Sequence, residues 1–216
     1  MSLLCVAILG AESTGKSSLI QSLSIELTRI GYEVRVVDEF LREWCAREGR
    51  TPKAHEQAAI AHEQARRLQA ELHLPTGNVS VVVLSDTSPL MTAIYSEVLF
   101  ADRSLLNFGL AQQKDFDITL VTGLDLPWVA DGVQRDGKDS QVPIDRRLRE
   151  SLLHGSIAFQ VIYGMGPQRT HNALKLLLQR LGCLPPAPER QSWSCDNCSD
   201  ASCEHRLFTR LVENRL

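Results

Sequence analysis

The chain has 216 residues, of which 44% are hydrophobic and 23% are charged, and its formal net charge at pH 7 is −3. This composition is typical of one globular domain with a sizeable core, and it excludes an intrinsically disordered chain. The small negative charge gives no global attraction to nucleic acid or to an anionic membrane, so we expect neither as a partner.

The first predicted element is a buried parallel strand, an apolar run at residues 3–9. No Lys or Arg precedes the run and it is too short to span a bilayer, so we expect a cytoplasmic protein. Residues 10–17 follow directly and read Gly-Ala-Glu-Ser-Thr-Gly-Lys-Ser, which fits the phosphate-loop pattern G-x-x-x-x-G-K-[ST] without a mismatch. Apolar residues at helical spacing up to residue 30 predict the helix that this motif requires.

The residue types of this loop suit ATP and Mg²⁺. Glycines let backbone N–H groups converge on phosphate oxygens, and Lys16 adds a positive charge for the β- and γ-phosphates. Ser17 offers Mg²⁺ a hard oxygen ligand. The predicted nucleotide-binding residues are Gly10, Glu12, Ser13, Thr14, Gly15, Lys16, Ser17 and Ser18.

A second strand is predicted at residues 33–37, and it ends in two carboxylates, Asp38 and Glu39. Because strand ends carry the site in open α/β sheets, both carboxylates arrive on the ligand side. We expect one of them to orient the acceptor hydroxyl and receive its proton. Asp38 and Arg42 are candidate substrate contacts. Helices are then predicted at 40–47 and 53–73.

The β-branched run at residues 79–84 predicts a third buried strand, and Asp86 follows it. A carboxylate in this position reaches the phosphate loop, so Asp86 is predicted to hold Mg²⁺ together with Ser17, directly or through water. The alternative is that Asp86 caps the helix that starts near Pro89.

The remaining pattern predicts helices at 89–100, 103–114 and 167–181, and strands at 117–122 and 158–163. Alternating strands and helices predict an α/β fold of three layers, with a mainly parallel five-stranded sheet typical of P-loop NTPases. We expect residues 1–182 to form a kinase domain, and residues 183–216 to form a Pro-rich linker with a Cys-rich extension.

A lid is predicted at about residues 125–150, because this Gly-containing segment leads into an arginine-rich helix. Arginines that close over transferring phosphate stabilise its charge, and closure excludes water. Arg135 and Arg146 are the candidate catalytic arginines. A solvated helix face is the alternative for the arginines of this helix.

Several of these segments together resemble the ribosylnicotinamide kinase domain of NadR-type proteins, which are AAA-type P-loop proteins of NAD metabolism. They are the phosphate loop, residues 38–43, the pair Asp86-Thr87 and above all residues 127–132, Pro-Trp-Val-Ala-Asp-Gly. The resemblance covers roughly residues 3–180, the kinase domain only. It implies transfer of the ATP γ-phosphoryl group to the ribose 5′-hydroxyl of nicotinamide riboside, which gives the mononucleotide.

In the lid, Trp128 and Asp131 are candidate substrate contacts, and Trp128 either stacks on a ring or anchors the lid in the core. The chain departs from the family pattern at Phe40, where a tyrosine is usual, and at Ser88, where a second aspartate is usual. These departures leave another nucleoside open as acceptor. A regulatory P-loop ATPase that switches on binding a protein partner is the alternative function, and a homodimer is also left open.

The six cysteines do not suggest a disulfide framework. Cys5 and Cys45 fall in predicted core elements and read as small buried hydrophobes. A C-x₂-C-x₄-C-x-H spacing near the C-terminus predicts a candidate zinc site, with an iron–sulfur cluster or free thiols as alternatives. Its candidate ligands are Cys195, Cys198, Cys203 and His205.

Overall fold

A computed structural model of the chain describes residues 2–128 and 138–184. Strands and helices alternate along this part of the chain, as the sequence predicts. The strands are β1 (Leu3–Leu9), β2 (Glu33–Val37), β3 (Val81–Asp86), β4 (Ile118–Thr122) and β5 (Gln160–Ile162). The helices are α1 (Lys16–Ile30), α2 (Phe40–Glu48), α3 (Gln57–Leu72), α4 (Pro89–Phe100), α5 (Leu106–Gln113), α6 (Lys138–His154) and α7 (Gly166–Arg180), with a short 3₁₀ helix at Ala54–Glu56.

The strands form one parallel sheet in the order β2-β3-β1-β4-β5. β1 is central, and alternate side chains leave it on opposite faces. Those of Val6 and Ile8 join a core cluster with residues of α1 and α7, whereas those of Ala7 and Leu9 join one with residues of α4 and α6. Because helices cover both faces, the strand is apolar throughout. The predicted three-layer α/β architecture is confirmed.

Element boundaries differ from the prediction where pairing decides them. The strand predicted at 79–84 begins at Val81, because β3 forms alongside β1 and Leu3 of β1 lies opposite Val81. At its other end β3 extends to Asp86, which lies opposite Ile8. The metal-ligand candidate is therefore the last residue of the strand itself.

The second half of the predicted lid, from residue 138 onward, belongs to a helix that packs against the core. α6 places Ile144, Leu148 and Leu152 in the core on the α4 side of the sheet, with none of them exposed. Buried apolar residues four apart lie on one helix face, so this stretch is an amphipathic packing helix. It forms part of one outer layer of the fold.

The cysteines of the core behave as predicted. Cys5 and Cys45 are buried free thiols, and burial, with smaller contributions from Asp117 and Asp115, raises the pKa of the Cys5 thiol to about 12. Such a thiol stays protonated and contributes packing only. Within residues 2–128 and 138–184, none of the helices combines the length and the apolar character needed to span a bilayer.

Candidate active site

The phosphate loop runs from the end of β1 to the start of α1, at the centre of the sheet. Gly15 caps α1 in the left-handed conformation, with φ 77°. Gly10 has φ 148°, and a Cβ atom there would lie 2.1 Å from Thr122 Oγ1 at the end of β4. Only glycine fits this position, because both the backbone conformation and the close approach exclude a side chain.

Buried hydroxyl groups attach the loop to β4. The hydroxyl oxygens of Thr14 and Thr122 are 2.7 Å apart. Thr14 Oγ1 also lies 2.8 Å from the carbonyl oxygen of Ala11, and Thr122 Oγ1 lies 3.1 Å from that of Leu9. The loop is therefore held in shape by a strand more than a hundred residues away in sequence. Sequence reasoning missed Thr122, because its only signal is its place at a strand end.

Lys16 is buried against its own loop, with 8% of the residue exposed. Its ammonium group donates hydrogen bonds to the carbonyl oxygens of Gly10 at 3.0 Å and Ala11 at 2.9 Å. These bonds keep a positive charge at the mouth of the loop. α1 begins at this residue, so its N-terminal N–H groups and dipole also favour an anion here.

Ser17 and Asp86 form the second contact between the loop and the sheet. The Ser17 hydroxyl donates a 2.6 Å hydrogen bond to Asp86 Oδ2. Asp86 Oδ1 is buried and has no partner among the described residues. Asp86 does not cap α4, because Ser88 is the N-cap residue and its Oγ accepts from the N–H of Leu90 at 3.3 Å. An unpaired buried carboxylate oxygen beside a hydroxyl is a donor set that fits Mg²⁺.

The two carboxylates after β2 lie in different environments. Glu39 lies at the N-terminus of α2, and its Oε2 is 3.6 Å from Arg42 Nε. Burial raises the pKa of the Glu39 carboxyl above the ordinary 4.5, Lys16 opposes that rise, and Asp86 adds to it. The side chain of Asp38 is exposed. Glu39 is thus the carboxylate that shares the field of the phosphate loop.

A glutamine from α3 holds the turn that carries these carboxylates. Gln64 is 3% exposed. Its Oε1 accepts from the N–H of Phe40 at 2.8 Å, and its Nε2 donates to the carbonyl oxygen of Asp38 at 3.3 Å. Sequence reasoning missed this residue, although Gln64 is a polar residue four positions from both Ile60 and Leu68 on the buried face of α3.

One groove opens on the α1 side of the loop, between α1 and α7, with a volume of about 580 Å³. Gly15, Ser18 and Leu126 line it, together with Arg169 at the start of α7. The buried guanidinium of Arg169 contacts Asp125 Oδ1 at 3.4 Å and the carbonyl oxygen of Gly123 at 3.4 Å. Burial lowers the pKa of Arg169, and Asp125 opposes this. Sequence reasoning also missed this pair.

A second groove opens on the other side of the loop, with a volume of about 450 Å³. Its lining residues come from the phosphate loop, α2, the 3₁₀ helix and the connection before it, α3 and α4. They are Glu12, Leu41, Thr51, Pro52, Lys53, Ala54, Gln57, Tyr95, Leu99 and Phe100. Residues of the phosphate loop or of the first turn of α1 thus line both grooves, Gly15 and Ser18 the first and Glu12 the second.

Two arginines of α6 form ion pairs, and the third, Arg146, lies away from the phosphate loop. Arg147 donates to the buried Glu97 at 2.7 Å, and Arg149 donates to Asp145 at 2.8 Å. Arg146 is exposed and lines a third groove, near the C-terminus of α4, which no phosphate-loop residue lines among the described residues. α6 does reach the loop through Gln141, whose Nε2 donates to the carbonyl oxygen of Glu12 at 2.6 Å.

Arg146 is five residues beyond Gln141, about 140° further round the helix axis. The structure thus places this predicted catalytic arginine on a different side of α6 from the contact with the loop.

Of the other predicted site residues, Trp128 lies within the described part of the chain and the rest lie outside it. Trp128 is half-buried, and its indole N–H is buried without a partner among the described residues. Arg135 and Asp131 lie outside the described residues, as do Cys195, Cys198, Cys203 and His205. Their roles stay predictions. Residues 2–128 and 138–184 contain no cluster of three or more side chains suited to a metal ion.

Solved structures share this fold. A NadR protein in complex with NAD and AMP-PNP is 18% identical, with a TM-score of 0.66 over 88% of this chain and 52% of that chain. A NadR protein in complex with NR is 18% identical, with a TM-score of 0.62 over 88% of this chain and 54% of that chain. Thymidylate kinase from Candida albicans is 12% identical, with a TM-score of 0.59 over 84% of this chain and 93% of that chain.

The chain spans about half the length of the two NadR chains. No curated protein matches its sequence. The NadR and thymidylate kinase structures establish a P-loop fold of the nucleotide-kinase type. The family model described as an AAA domain matches residues 5–169, which include the phosphate loop, Asp86 and Arg169. The chain therefore belongs to this AAA-domain family of P-loop proteins.

Proposed function

We propose that the protein is an ATP-dependent kinase that phosphorylates the ribose 5′-hydroxyl of nicotinamide riboside. One observation carries the proposal: Lys16, the Ser17–Asp86 pair and Glu39, whose side chain is 10% exposed, surround one phosphate loop that has a groove on each side. A donor nucleotide and an acceptor can thus occupy separate grooves and meet at the loop. A site that only hydrolysed ATP would need no second groove.

The groove between α1 and α7 is the proposed site of the adenosine. It opens beside Gly15 and Ser18, so a base bound there leaves its phosphates at the loop N–H groups. A NadR protein of the same fold was crystallised with AMP-PNP, which supports ATP as the donor.

Ser17 and Asp86 are the proposed Mg²⁺ ligands, since their oxygens are adjacent and Asp86 Oδ1 is unpaired in the described part of the chain. When bound, Mg²⁺ neutralises charge on the β- and γ-phosphates. Lys16 then leaves its loop carbonyls for the phosphate oxygens.

Glu39 is the proposed proton acceptor for the attacking hydroxyl. The hydroxyl oxygen forms a bond to the γ-phosphorus, the bond from that phosphorus to the β–γ bridging oxygen breaks, ADP leaves, and the hydroxyl proton passes to Glu39. Glu39 is preferred over Asp38 because the Glu39 side chain is only 10% exposed and lies in the field of Lys16 and Asp86, whereas Asp38 is exposed.

Nicotinamide riboside is proposed as the acceptor because a NadR protein of this fold was crystallised with NR. Phe40 and Ser88, the two residues that depart from the family pattern, both make contacts within the fold. The Phe40 ring packs under Arg67, whose guanidinium carbon is 4.5 Å from the ring centroid. Ser88 donates a 2.6 Å hydrogen bond to Gln113, so its hydroxyl is engaged inside the fold.

The test is ADP formation from Mg-ATP with and without nicotinamide riboside, with the product identified by mass spectrometry. We expect stimulation by the acceptor and formation of the 5′-mononucleotide. Glu39→Gln should lower kcat about 10²- to 10⁴-fold, whereas the neighbouring Asp38→Asn, the matched control, should change it only a few-fold. Turnover that ignores every nucleoside and responds to a protein partner would instead support a regulatory ATPase.

A further inference from the structure

A buried amide oxygen without a partner in the described part of the chain lies at the second groove, between α3 and α4, which is the groove left for the acceptor by the proposed function. Gln57 is the first residue of α3 and lines the groove, yet it is only 2% exposed. Its Oε1 is buried and accepts no hydrogen bond in the described part of the chain. Buried amide oxygens are almost always paired, because leaving one unpaired is costly. The Gln57 oxygen therefore has the capacity to accept a hydrogen bond from a ligand.

The walls around this glutamine suit a flat ring. Leu99 and Phe100 are each 39% exposed although both are large and apolar, and Tyr95 lies one turn earlier on the same helix. Apolar and aromatic side chains pack well against the faces of a heterocycle. The volume of about 450 Å³ is typical of a small-molecule site.

The lining of the groove also indicates how an acceptor would be oriented in it. Glu12 of the phosphate loop lines it together with Gln57 of α3. An acceptor that presents its ribose hydroxyl to the loop therefore has its base among the remaining lining residues. The last torsion of a glutamine side chain is broad, so the proposal requires only a rotation about this torsion to present Oε1 to a ligand in the groove that Gln57 lines.

We propose that Gln57 determines acceptor specificity by accepting a hydrogen bond at Oε1 from an N–H group of the base, either a carboxamide or a ring imide. The inference rests on the proposed function, since it places the acceptor base in this groove. A carboxylate at the same position has no proton to donate and repels the amide oxygen. An N-methyl group also has no proton to donate, and both leave Oε1 unpaired.

The experiment compares two pairs of acceptors, in each of which one member has this N–H group and the other lacks it. The pairs are nicotinamide riboside with nicotinic acid riboside, and uridine with N3-methyluridine. For each pair, kcat/KM and acceptor binding by calorimetry are measured for the unmodified protein, for Gln57→Met and for Gln69→Met. Gln69 is the matched control, because it is a half-buried glutamine on the same helix.

We expect the unmodified protein and Gln69→Met to prefer the N–H member of a pair about tenfold or more, which is the effect of one hydrogen bond to a buried group. Gln57→Met should lose this preference and keep its KM for ATP. Its melting temperature should not fall, because methionine removes an unpaired polar group. If Gln57 had only a structural role, Gln57→Met would lower the melting temperature and would keep the preference for the N–H member of each pair.

The proposed function and this inference can fail separately. In one outcome, the unmodified protein does not use nicotinamide riboside but prefers uridine over N3-methyluridine, and Gln57→Met loses this preference. That outcome would refute the proposed acceptor and support the role of Gln57. Equal use of both members of each pair by the unmodified protein would overturn the inference, as would an unchanged preference in Gln57→Met. Failure to bind any of the four acceptors would overturn it as well.

Discussion

Replacing Gln64 by methionine tests whether the turn that carries Glu39 is held from α3. The substitution keeps the side-chain length but removes the hydrogen bonds to the Phe40 N–H, at 2.8 Å, and the Asp38 carbonyl oxygen, at 3.3 Å. Both backbone groups are partly buried, so each unpaired group should cost about 1 kcal/mol, the low end of the usual range. We therefore expect the free energy of unfolding to fall by about 2 kcal/mol.

The effect on turnover should be larger than on ATP binding. Glu39 lies between the two bonded backbone groups, and a shift of about 1 Å in a catalytic group can cost about a hundredfold in rate. We expect kcat to fall 10- to 100-fold, by about 1.4–2.7 kcal/mol in the barrier. KM for ATP should stay the same, because the phosphate loop belongs to β1 and α1.

Steady-state kinetics and urea unfolding measure both effects, with Gln69→Met as the control. Loosening the turn should also expose Glu39 to water, so the acidic limb of the pH–rate profile should move to lower pH. A fall in stability with unchanged kcat and pH profile would show that Gln64 only supports the fold. A rise in KM for ATP of the same size as the fall in kcat would contradict the separation of loop and turn.

Four further predictions follow from the same geometry, and a fifth follows from the cysteine spacing in the sequence. Because burial raises the pKa of Glu39 above 4.5, kcat/KM should rise with pH through that raised pKa, and Glu39→Gln should remove this limb of the profile. The raised pKa also means that Glu39 favours the folded state when protonated. Its contribution to stability is lost as pH rises, so Glu39→Gln should exceed the unmodified protein in stability at pH 7 by a margin that shrinks towards pH 4, as measured by urea unfolding. Gly10→Ala should lower the melting temperature and abolish ATP binding, since its Cβ would lie 2.1 Å from Thr122 Oγ1, whereas Gly77→Ala, with no atom within 4 Å of the new Cβ, should be neutral in both assays. Asp86→Asn should raise the Mg²⁺ concentration for half-maximal turnover about tenfold or more, and a Mg²⁺ titration with an unchanged midpoint would contradict the proposed ligand. Elemental analysis should find about one zinc per chain if the predicted C-terminal site forms, and serine substitutions of its cysteines should remove the metal.

The phosphate loop, β1 and α1 were predictable from sequence because their chemistry is local. Contiguous residues make the loop, so spacing alone identifies Gly10, Gly15, Lys16 and Ser17 as one unit. The alternation of strands and helices likewise determines a parallel sheet with helices on both faces, since each apolar run must be buried. The three-layer architecture and the family follow from such patterns.

The site around the loop depends on residues that the chain brings together from separate elements. Sequence alone does not distinguish Asp38 from Glu39, whereas the structure leaves Asp38 exposed and only 10% of the Glu39 side chain exposed, in the field of Lys16. Thr122 and Gln64 carry no motif, because their roles come from contacts 108 and 26 residues away. Spacing cannot predict such contacts, since they depend on strand register and helix packing. The tertiary structure therefore decided which polar side chains serve the loop, while local sequence determined the loop itself.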